Sequence, residues 1–376
     1  MGDLSNIDIG WRSALMFSVC LPMVVVAVML FLRSAEPHAN RLLACLLIVV
    51  VISQIPQIIG FAGFYEVWPG LTFAPFGVEL YAGPLLYLHA HRLMMAQPLG
   101  WRRWLLLPGV VQTLYYTVVF TQLGDYKAKW AYNEAVHLPY VDPLEAVLGL
   151  ALVSFAVIAV YRMIVRYRAY LNRTQSAAAD FDPTWLTRLM MAMFVAVVLF
   201  AGLELVPLII DGVSYIDAFP PQVLLTAIVA WLGLQALAQT TVTFPKMPDA
   251  IEGPVGELER PAAAKDWVAE GRDLERALVN GGWYLESRLS IKEVASRMAT
   301  NETYVSRAVN KGLGTTFNRF VNELRVAHAK GLIVEGTQSL LDVASTAGFN
   351  SKATFNRVFR EIAGQTPSQF KKSQNP

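Results

Sequence analysis

The chain has 376 residues, of which 55% are hydrophobic and only 16% are charged, whereas roughly 25% are charged in an average soluble domain. This composition excludes a disordered protein, a fibrous protein and an ordinary cytosolic enzyme. The net charge of +2 is unevenly distributed, because residues 1–284 carry 18 Lys and Arg against 22 Asp and Glu, and residues 285–376 carry 13 against 7. A basic C-terminal part predicts contact with nucleic acid or with another anionic surface.

Seven apolar segments of about 20 residues, the length that crosses a hydrocarbon core in a helix, occupy the first two-thirds of the chain. They predict transmembrane helices over residues 13–32, 42–61, 73–93, 104–123, 144–165, 189–210 and 219–238. If the N-terminus lies outside, the inner loops hold ten arginines and the outer side holds three Lys and Arg. The positive-inside rule therefore places the N-terminus outside and the C-terminus in the cytoplasm.

The pattern changes after the seventh segment. Residues 241–263 are rich in Pro and Gly and predict a flexible or extended linker. From residue 264 onward the apolar residues recur with helical periodicity and without strand-like alternation. The sequence thus predicts an all-α protein with a membrane domain over 1–240, a linker over 241–263 and a soluble domain over 264–376.

The soluble domain contains two segments with the pattern of a helix-turn-helix unit. In the first, over 289–315, Ser290 and Glu293 predict a capping box, residues 300–301 a turn, and 303–311 a second helix. In the second, over 338–370, a tight turn at Gly348 predicts a positive φ angle. The side chains expected to pack its first helix are Leu341, Val343, Ala344 and Ala347, and Ser351 is expected to cap the next helix.

A helix over residues 316–335 is predicted between the two units. Twenty residues span about 30 Å in a helix, close to the pitch of B-DNA at about 34 Å. Such a helix would hold two recognition helices one turn of DNA apart, so that both could enter successive major grooves.

The run from Ala344 to Phe370 reads ASTAGFNSKATFNRVFREIAGQTPSQF. It resembles the signature of the AraC/XylS family of bacterial transcription regulators in its Gly-Phe turn, its Phe-x-Arg-x-Phe stripe and its Gly-x-Thr-Pro-x-x-Phe end. The resemblance covers about residues 270–376 and includes the first unit and the connecting helix. The N-terminal part looks like the class that joins seven membrane spans to this module. The fold that this resemblance implies is a seven-transmembrane-helix bundle joined to a cytoplasmic double helix-turn-helix domain.

The exposed N-terminal ends of the second helices are expected to contact DNA. Arg can donate to guanine and Asn can pair with adenine, while Lys and Ser at a helix start often hold phosphate. The predicted DNA-binding residues are Asn301, Thr303, Tyr304 and Arg307 in the first unit, and Asn350, Ser351, Lys352, Asn356 and Arg357 in the second. Arg325 has two interpretations, an internal clamp to a carboxylate of a neighbouring helix or a DNA contact.

The carboxylates Glu79 and Glu204 fall within predicted spans and are singled out as candidates. A carboxylate in a membrane span is costly and is a functional hypothesis by default. Glu79 and Glu204 could receive a signal or ligand, or could instead hydrogen-bond a Tyr or Gln between helices. The sequence predicts no catalytic residues, no metal site and no cofactor.

These patterns together predict a one-component transcription regulator in the bacterial inner membrane. Its expected partners are promoter DNA, the lipid bilayer and a small-molecule or peptide signal. A homodimer could form without tight contacts, because membrane tethering raises the local concentration of neighbouring modules. If the protein is an activator, RNA polymerase is a further expected partner. Two alternatives remain: a transporter or membrane enzyme with a regulatory tail, and a tail that binds proteins instead of DNA.

Overall fold

The computed structural model describes residues 7–205, 219–239, 243–248 and 265–374. Within these residues the regular secondary structure is helical, with two isolated β-bridges, which confirms the predicted all-α class. The chain forms two compact bodies. The apolar body comprises Met1–Ile164 and Pro183–Asp249, and the C-terminal module comprises Val165–Asp182 and Ala250–Pro376.

Nine α-helices begin in the described part of the apolar body, where Leu and Ala, which favour helix, recur in the sequence. The longest, α7, is continuous through both bodies and ends in the C-terminal module. The helices are α1 Trp11–Leu32, α2 Pro37–Phe61, α3 Phe64–Val67, α4 Ala82–Met94, α5 Leu107–Gln122, α6 Tyr126–Tyr132, α7 Asp142–Thr174, α8 Thr184–Leu205 and α9 Phe219–Gln239.

Among the described residues, five helical stretches are long and apolar enough to cross a membrane. They are Trp11–Leu32, Pro37–Phe61, Gly100–Gln122, Tyr126–Thr174 and Ala178–Leu199, and a shorter apolar helix covers Gln222–Ala238. Large apolar side chains lie exposed on them, for example Leu21, Val111 and Ile158. The structure therefore supports several apolar helices of spanning length, and the count of seven spans stays a prediction.

The third predicted span, over 73–93, differs from the structure. In the structure the α-helix of this stretch covers only Ala82–Met94, and a 3-10 turn over Glu79–Tyr81 precedes it. A helix of thirteen residues is about 20 Å long. Phe73 has a positive φ angle of 63°, and Gly77 lies so close to the ring of Tyr116 that a Cβ atom there would overlap it. These features keep residues 73–78 out of a helix despite their apolar character.

The predicted linker and the end of the sixth predicted span lie mostly outside the described residues. Residues 243–248 are described, and they are anchored on the apolar body. The Met247 N–H donates to the Met94 carbonyl at 2.8 Å, and the Ala96 N–H donates to the Met247 carbonyl at 2.9 Å. The Lys246 ammonium lies 2.6 Å from the Glu36 carboxylate. This part of the linker is therefore extended and fixed by hydrogen bonds.

The C-terminal module contains the end of α7, residues 165–174, and seven further α-helices among its described residues. They are α10 Trp267–Asn280, α11 Ile291–Arg297, α12 Glu302–Arg307, α13 Phe317–Glu335, α14 Leu340–Thr346, α15 Lys352–Ala363 and α16 Pro367–Gln374. Helix α12 continues into a π-helical turn over Ala308–Gly312, so the predicted second helix over 303–311 has two parts. The predicted connecting helix is α13, capped by Thr316.

Two apolar cores lie in the module, and α13 contributes to both. Phe317, Phe320 and Val321 join the core of α10, α11 and α12. Val326, Ala329 and Ile333 join the core of α14 and α15. The two halves of one helix therefore serve as the packing surface for two separate helix pairs.

The prediction of one core residue, Leu341, is wrong. Leu341 is 61% exposed, whereas Val343, Ala344 and Ala347 are buried as expected. Because Ser339 caps α14, the buried face follows positions 340, 343, 344 and 347, the i, i+3, i+4, i+7 pattern of one helix side. Leu340 takes the inner position.

Candidate nucleic-acid interface

Helices α11 and α12 form the first helix-turn-helix pair. The Glu293 N–H donates to Ser290 Oγ at 3.3 Å, and the Ser290 N–H donates to the Glu293 carboxylate at 2.7 Å, which confirms the predicted capping box. At the turn, the Thr300 N–H donates to the Ala295 carbonyl at 2.9 Å. The buried side chains Val294 and Val305 then hold the two helices on one core.

Helices α14 and α15 form the second pair. Gly348 has φ +83°, as predicted, and the Phe349 N–H donates to the Ala344 carbonyl at 2.9 Å. A Cβ atom at position 348 would collide with the Leu285 carbonyl group, so the turn requires glycine for its conformation and for its close approach. Ser351 caps α15, accepting the Thr354 N–H at 3.1 Å, which confirms the predicted cap.

The outward side of α15 carries the polar residues predicted to contact DNA. Phe355, Val358 and Phe359 are buried, so Lys352 and Arg357 lie on the exposed side of the same helix. Positions 353, 356, 357 and 360 share one face at helical spacing. Arg360 is exposed on that face, and its spacing from residues 356 and 357 would have identified it as a further candidate.

The outward side of α12 is more polar than basic. Thr303 is exposed, and Arg307 is half-buried with no hydrogen-bond partner for its Nε atom. One turn further, the Asn310 amide donates to Ser306 Oγ at 3.2 Å. Ser306 and Asn310 lie at the i+3 and i+7 positions from Thr303, so they are further candidate DNA contacts. The sequence prediction considered only residues near the start of the helix and therefore omitted them.

Two of the predicted DNA contacts in the first unit already have partners within the module. Asn301 caps α12, accepting the Tyr304 N–H at 2.8 Å. The Tyr304 hydroxyl donates to the Glu270 carboxylate of α10, and the Lys265 ammonium lies 4.3 Å from the centroid of its ring. The hydrogen bond to Glu270 raises the pKa of Tyr304 to about 12. Base contacts by Asn301 and Tyr304 stay predictions, and each would have to coexist with these bonds.

Arg325 is an internal clamp. It is 1% exposed, and its guanidinium donates to the Tyr284 carbonyl at 2.7 Å and the Glu286 carbonyl at 2.6 Å. It also donates to Ser176 Oγ at 3.0 Å. Burial lowers the pKa of Arg325 to about 10. The clamp interpretation is confirmed, although the acceptors are carbonyl and hydroxyl oxygens rather than the expected carboxylate.

The carboxylate Glu79 lines a cavity of about 310 Å³ in the apolar body. The Gln112 amide donates to Glu79 at 3.2 Å and to Glu145 at 3.0 Å, and the Tyr116 hydroxyl donates to Glu145 at 3.3 Å. The sequence prediction omitted Glu145, although this carboxylate falls within the predicted span over 144–165, and it omitted Gln112, which carries no charge that would mark it. The side chain of Glu204 lies outside the described residues.

A protein-family model described as "Helix-turn-helix domain" matches residues 294–373. The C-terminal module contains a helix-turn-helix domain. An uncharacterized HTH-type transcriptional regulator of Staphylococcus aureus (strain COL) is 32% identical over 83 residues, which are 22% of this chain and 11% of that protein. The melibiose operon regulatory protein of Escherichia coli (strain K12) is 29% identical over 87 residues, which are 23% of this chain and 29% of that protein.

The chain therefore spans about a tenth of the length of the first relative and less than a third of the second. No solved structure matches the chain. The matched range of the helix-turn-helix domain begins within α11 and ends within α16. It includes both candidate recognition helices, α12 and α15, and the connecting helix α13.

Proposed function

We propose that the chain is a membrane-embedded transcription regulator that binds promoter DNA in a sequence-specific manner through both helix-turn-helix units. The observation that carries this proposal is the pair of helices α12 and α15, each packed by an apolar face and each presenting polar or basic residues outward. They are joined by α13, which has 19 residues and a length of about 28 Å. This length is close to one turn of B-DNA.

The side chains divide by chemistry into two roles. Arg307, Asn356 and Arg357 have the donors and acceptors that read base edges in the major groove. Lys352 and Ser351 stand at the start of α15, where side chains and backbone N–H groups commonly hold phosphate. The net positive charge of residues 285–376 supplies the attraction to DNA that does not depend on sequence.

The membrane assignment rests on the apolar helices and on the distribution of arginine. Exposed side chains such as Phe17, Leu114 and Phe155 form surfaces that suit lipid better than water. The bias of Arg toward one set of loops favours a cytoplasmic C-terminus, which is the side on which DNA lies. The proposed location is the bacterial inner membrane.

Signal reception is assigned to the cavity of the apolar body. Its polar lining includes Glu79, Glu145 and Gln112, and carboxylates within a membrane protein commonly mark functional sites. Two carboxylates favour a ligand that carries a positive charge or several hydrogen-bond donors. Glu79→Gln is expected to abolish the response to such a signal in a promoter-reporter strain while leaving basal DNA binding unchanged, and an unchanged response would contradict this assignment.

Binding of duplex DNA by the full chain in lipid nanodiscs tests the proposed function. Genomic fragments retained by the protein are sequenced, and affinity for an enriched fragment is measured over a salt series. We expect a steep loss of affinity with salt, because neutralised phosphates release counterions, and a loss of enrichment in Arg357→Ala. The matched control is Arg276→Ala, which removes an exposed arginine from α10, outside the recognition helices. Absence of enrichment in the unaltered chain would contradict the proposal.

The orientation needs a separate measurement. A reporter fused after Pro376 is expected to be active in the cytoplasm. Activity only in the periplasm would contradict the proposal, because the helix-turn-helix domain could not then reach a promoter.

A further inference from the structure

Residues 165–182 follow the fifth predicted span in the sequence, yet they belong to the C-terminal module. They comprise the end of α7 and the residues that join it to α8. We call residues 175–182 the docking segment. In the predicted topology this stretch is an inner loop with no assigned role.

The docking segment pairs with the backbone immediately before α11. Gln175 and Ser290 form an antiparallel β-bridge, and the Ser176 N–H donates to the Leu289 carbonyl at 3.0 Å. Ser176 is only 1% exposed. The segment therefore begins as a short paired strand against the entrance to the first helix-turn-helix unit.

Three side chains of α13 hold the same serine. The Asn318 amide donates to the Ser176 carbonyl at 2.6 Å, and the Asn322 amide donates to it at 3.4 Å. Arg325 donates to Ser176 Oγ. Positions 318, 322 and 325 lie on one side of the helix, so α13 presents a row of donors to the segment. Undocking would remove one acceptor from each of these donors, and Arg325 would keep its carbonyl acceptors at Tyr284 and Glu286.

The far end of the docking segment reaches the second helix-turn-helix unit. The Asp180 carboxylate accepts a hydrogen bond from the amide of Asn350, a predicted DNA contact at the turn before α15. It also lies 4.0 Å from the Arg288 guanidinium and is 16% exposed. Phe181, the next residue, is buried. A predicted DNA-binding side chain is thus bonded to a carboxylate of the same chain.

The end of α7 lies near the second candidate recognition helix. A polar groove of about 470 Å³ is lined by Arg168 and Asn172 of α7 and by Arg357 of α15. Ala178 and Ala179 of the docking segment line the same groove. Residues 165–182 therefore come close to the exposed side of α15.

We propose that the docking segment is an intramolecular inhibitor of the helix-turn-helix domain. The Asp180 carboxylate accepts the hydrogen bond that the Asn350 amide would otherwise donate to DNA. A phosphate arriving at the start of α15 meets the negative charge of Asp180, and like charges at close range repel. DNA then binds fully only when the segment leaves, so the measured affinity is reduced by the fraction of protein that is undocked. This inference rests on the proposed function.

Helix α7 gives the inhibitor a connection to the predicted membrane span. It is continuous over Asp142–Thr174, and the docking segment begins at the next residue. A shift or rotation of the helix axis therefore acts directly on Gln175. In this arrangement a signal need not reach the recognition helices, because it only has to move the segment whose Asp180 is bonded to Asn350.

A reversible crosslink tests the inference in the full chain. Residues facing each other in an antiparallel pair have Cα atoms about 4.5–5.5 Å apart, within the usual range for a disulfide of about 4.4–6.8 Å. The variant Gln175→Cys/Ser290→Cys, made with both native cysteines replaced by Ala, locks the segment when oxidised. We expect the oxidised protein to bind an enriched duplex about tenfold or more weakly than the same protein after reduction.

The controls separate this inference from the proposed function. Each single-cysteine variant should bind equally before and after reduction. Equal affinity of the oxidised and reduced double variant would contradict the proposed inhibition but would not contradict the proposed regulator function. Failure of the reduced protein and of the unaltered chain to bind any duplex would instead overturn the proposed function, and the inhibition with it.

A second variant tests the role of the carboxylate without a crosslink. Asp180→Asn removes the charge beside Asn350 and is expected to tighten duplex binding about fivefold to tenfold, the effect of one ordinary hydrogen bond. Asp273→Asn is the matched control, since it removes one exposed carboxylate from α10 of the same module. Equal changes in affinity for the two variants would show that only net charge matters and would overturn the inhibitory contact.

Discussion

Replacing Gly348 with Ala is expected to destabilise the second helix-turn-helix unit strongly. A φ angle of +83° lies in the left-handed region, which costs a residue with a Cβ atom about 1–2 kcal/mol. The added Cβ would also overlap the carbonyl carbon and oxygen of Leu285, both backbone atoms that cannot rotate away. Forced overlap in a packed region costs about 1–3 kcal/mol. The two contributions predict a loss of about 2–5 kcal/mol.

Gly364→Ala isolates the conformational part of that cost. Gly364 has φ +73° at the end of α15, and a Cβ atom there meets no heavy atom within 4 Å. Its replacement should therefore cost only about 1–2 kcal/mol. The difference between the two variants measures the contact between position 348 and Leu285.

Hydrogen exchange of the α15 amides in the full chain measures both losses, because it reports the free energy of local opening. It suits this chain better than a single melting curve, since a protein with two bodies need not unfold in one step. Equal reductions for the two variants would refute the argument. They would mean that the backbone of Leu285 moves away at no cost and that the turn is not packed as described.

Three further predictions concern the module. Ser290→Ala should reduce protection of the α11 amides from hydrogen exchange by about 1 kcal/mol, the usual value of an N-cap, and unchanged protection would contradict the role of the capping box. Arg357→Ala should weaken binding to an enriched duplex by about 1–3 kcal/mol and relax base preference. Lys352→Ala should instead weaken binding to all duplexes alike and reduce the slope of log affinity against log salt concentration by about 1. An identical pattern for both variants would show that the roles are misassigned. Arg297 holds the pKa of Glu286 below its usual value, so the stability from this pair is present above the unfolded pKa of about 4.3 and is lost as pH falls through the folded value. Arg297→Ala should make unfolding less dependent on acid, and an unchanged acid profile would contradict this.

Local features of the module were predictable because they depend on neighbours in the sequence. The capping box at Ser290, the positive φ at Gly348 and the cap at Ser351 each involve residues within a few positions. The bounds of α13 followed from its helical periodicity, within one residue of the observed start. Such features are fixed by backbone geometry and short-range hydrogen bonds.

Features that depend on assembly were missed or misplaced. Leu341 was assigned to the core because it is apolar, but the phase of α14 is set by its cap at Ser339, and Leu340 faces inward instead. The apolar run over 73–81 was assigned to a span, although the ring of Tyr116 packs against Gly77. Neither the cap-dependent phase nor a contact with another helix is visible in a hydrophobicity pattern.

The docking segment is the clearest case of a role assigned by tertiary contacts. Nothing in the residues 175–182 marks them as part of the C-terminal module, because their partners Ser290, Asn318 and Asn350 are more than a hundred positions away. Arg325 was recognised as a clamp candidate from its position on α13, but its acceptors were not, since carbonyl oxygens carry no sequence signal.

Genomic occupancy of the full chain in cells is the most direct test of the account. DNA is crosslinked to the protein in cells, recovered with it and sequenced, and the unaltered chain is compared with the Arg307→Ala/Arg357→Ala variant at equal abundance. We expect discrete sites upstream of genes for the unaltered chain and their loss in the variant. Equal occupancy in both, or no enrichment for either, would contradict DNA recognition by α12 and α15.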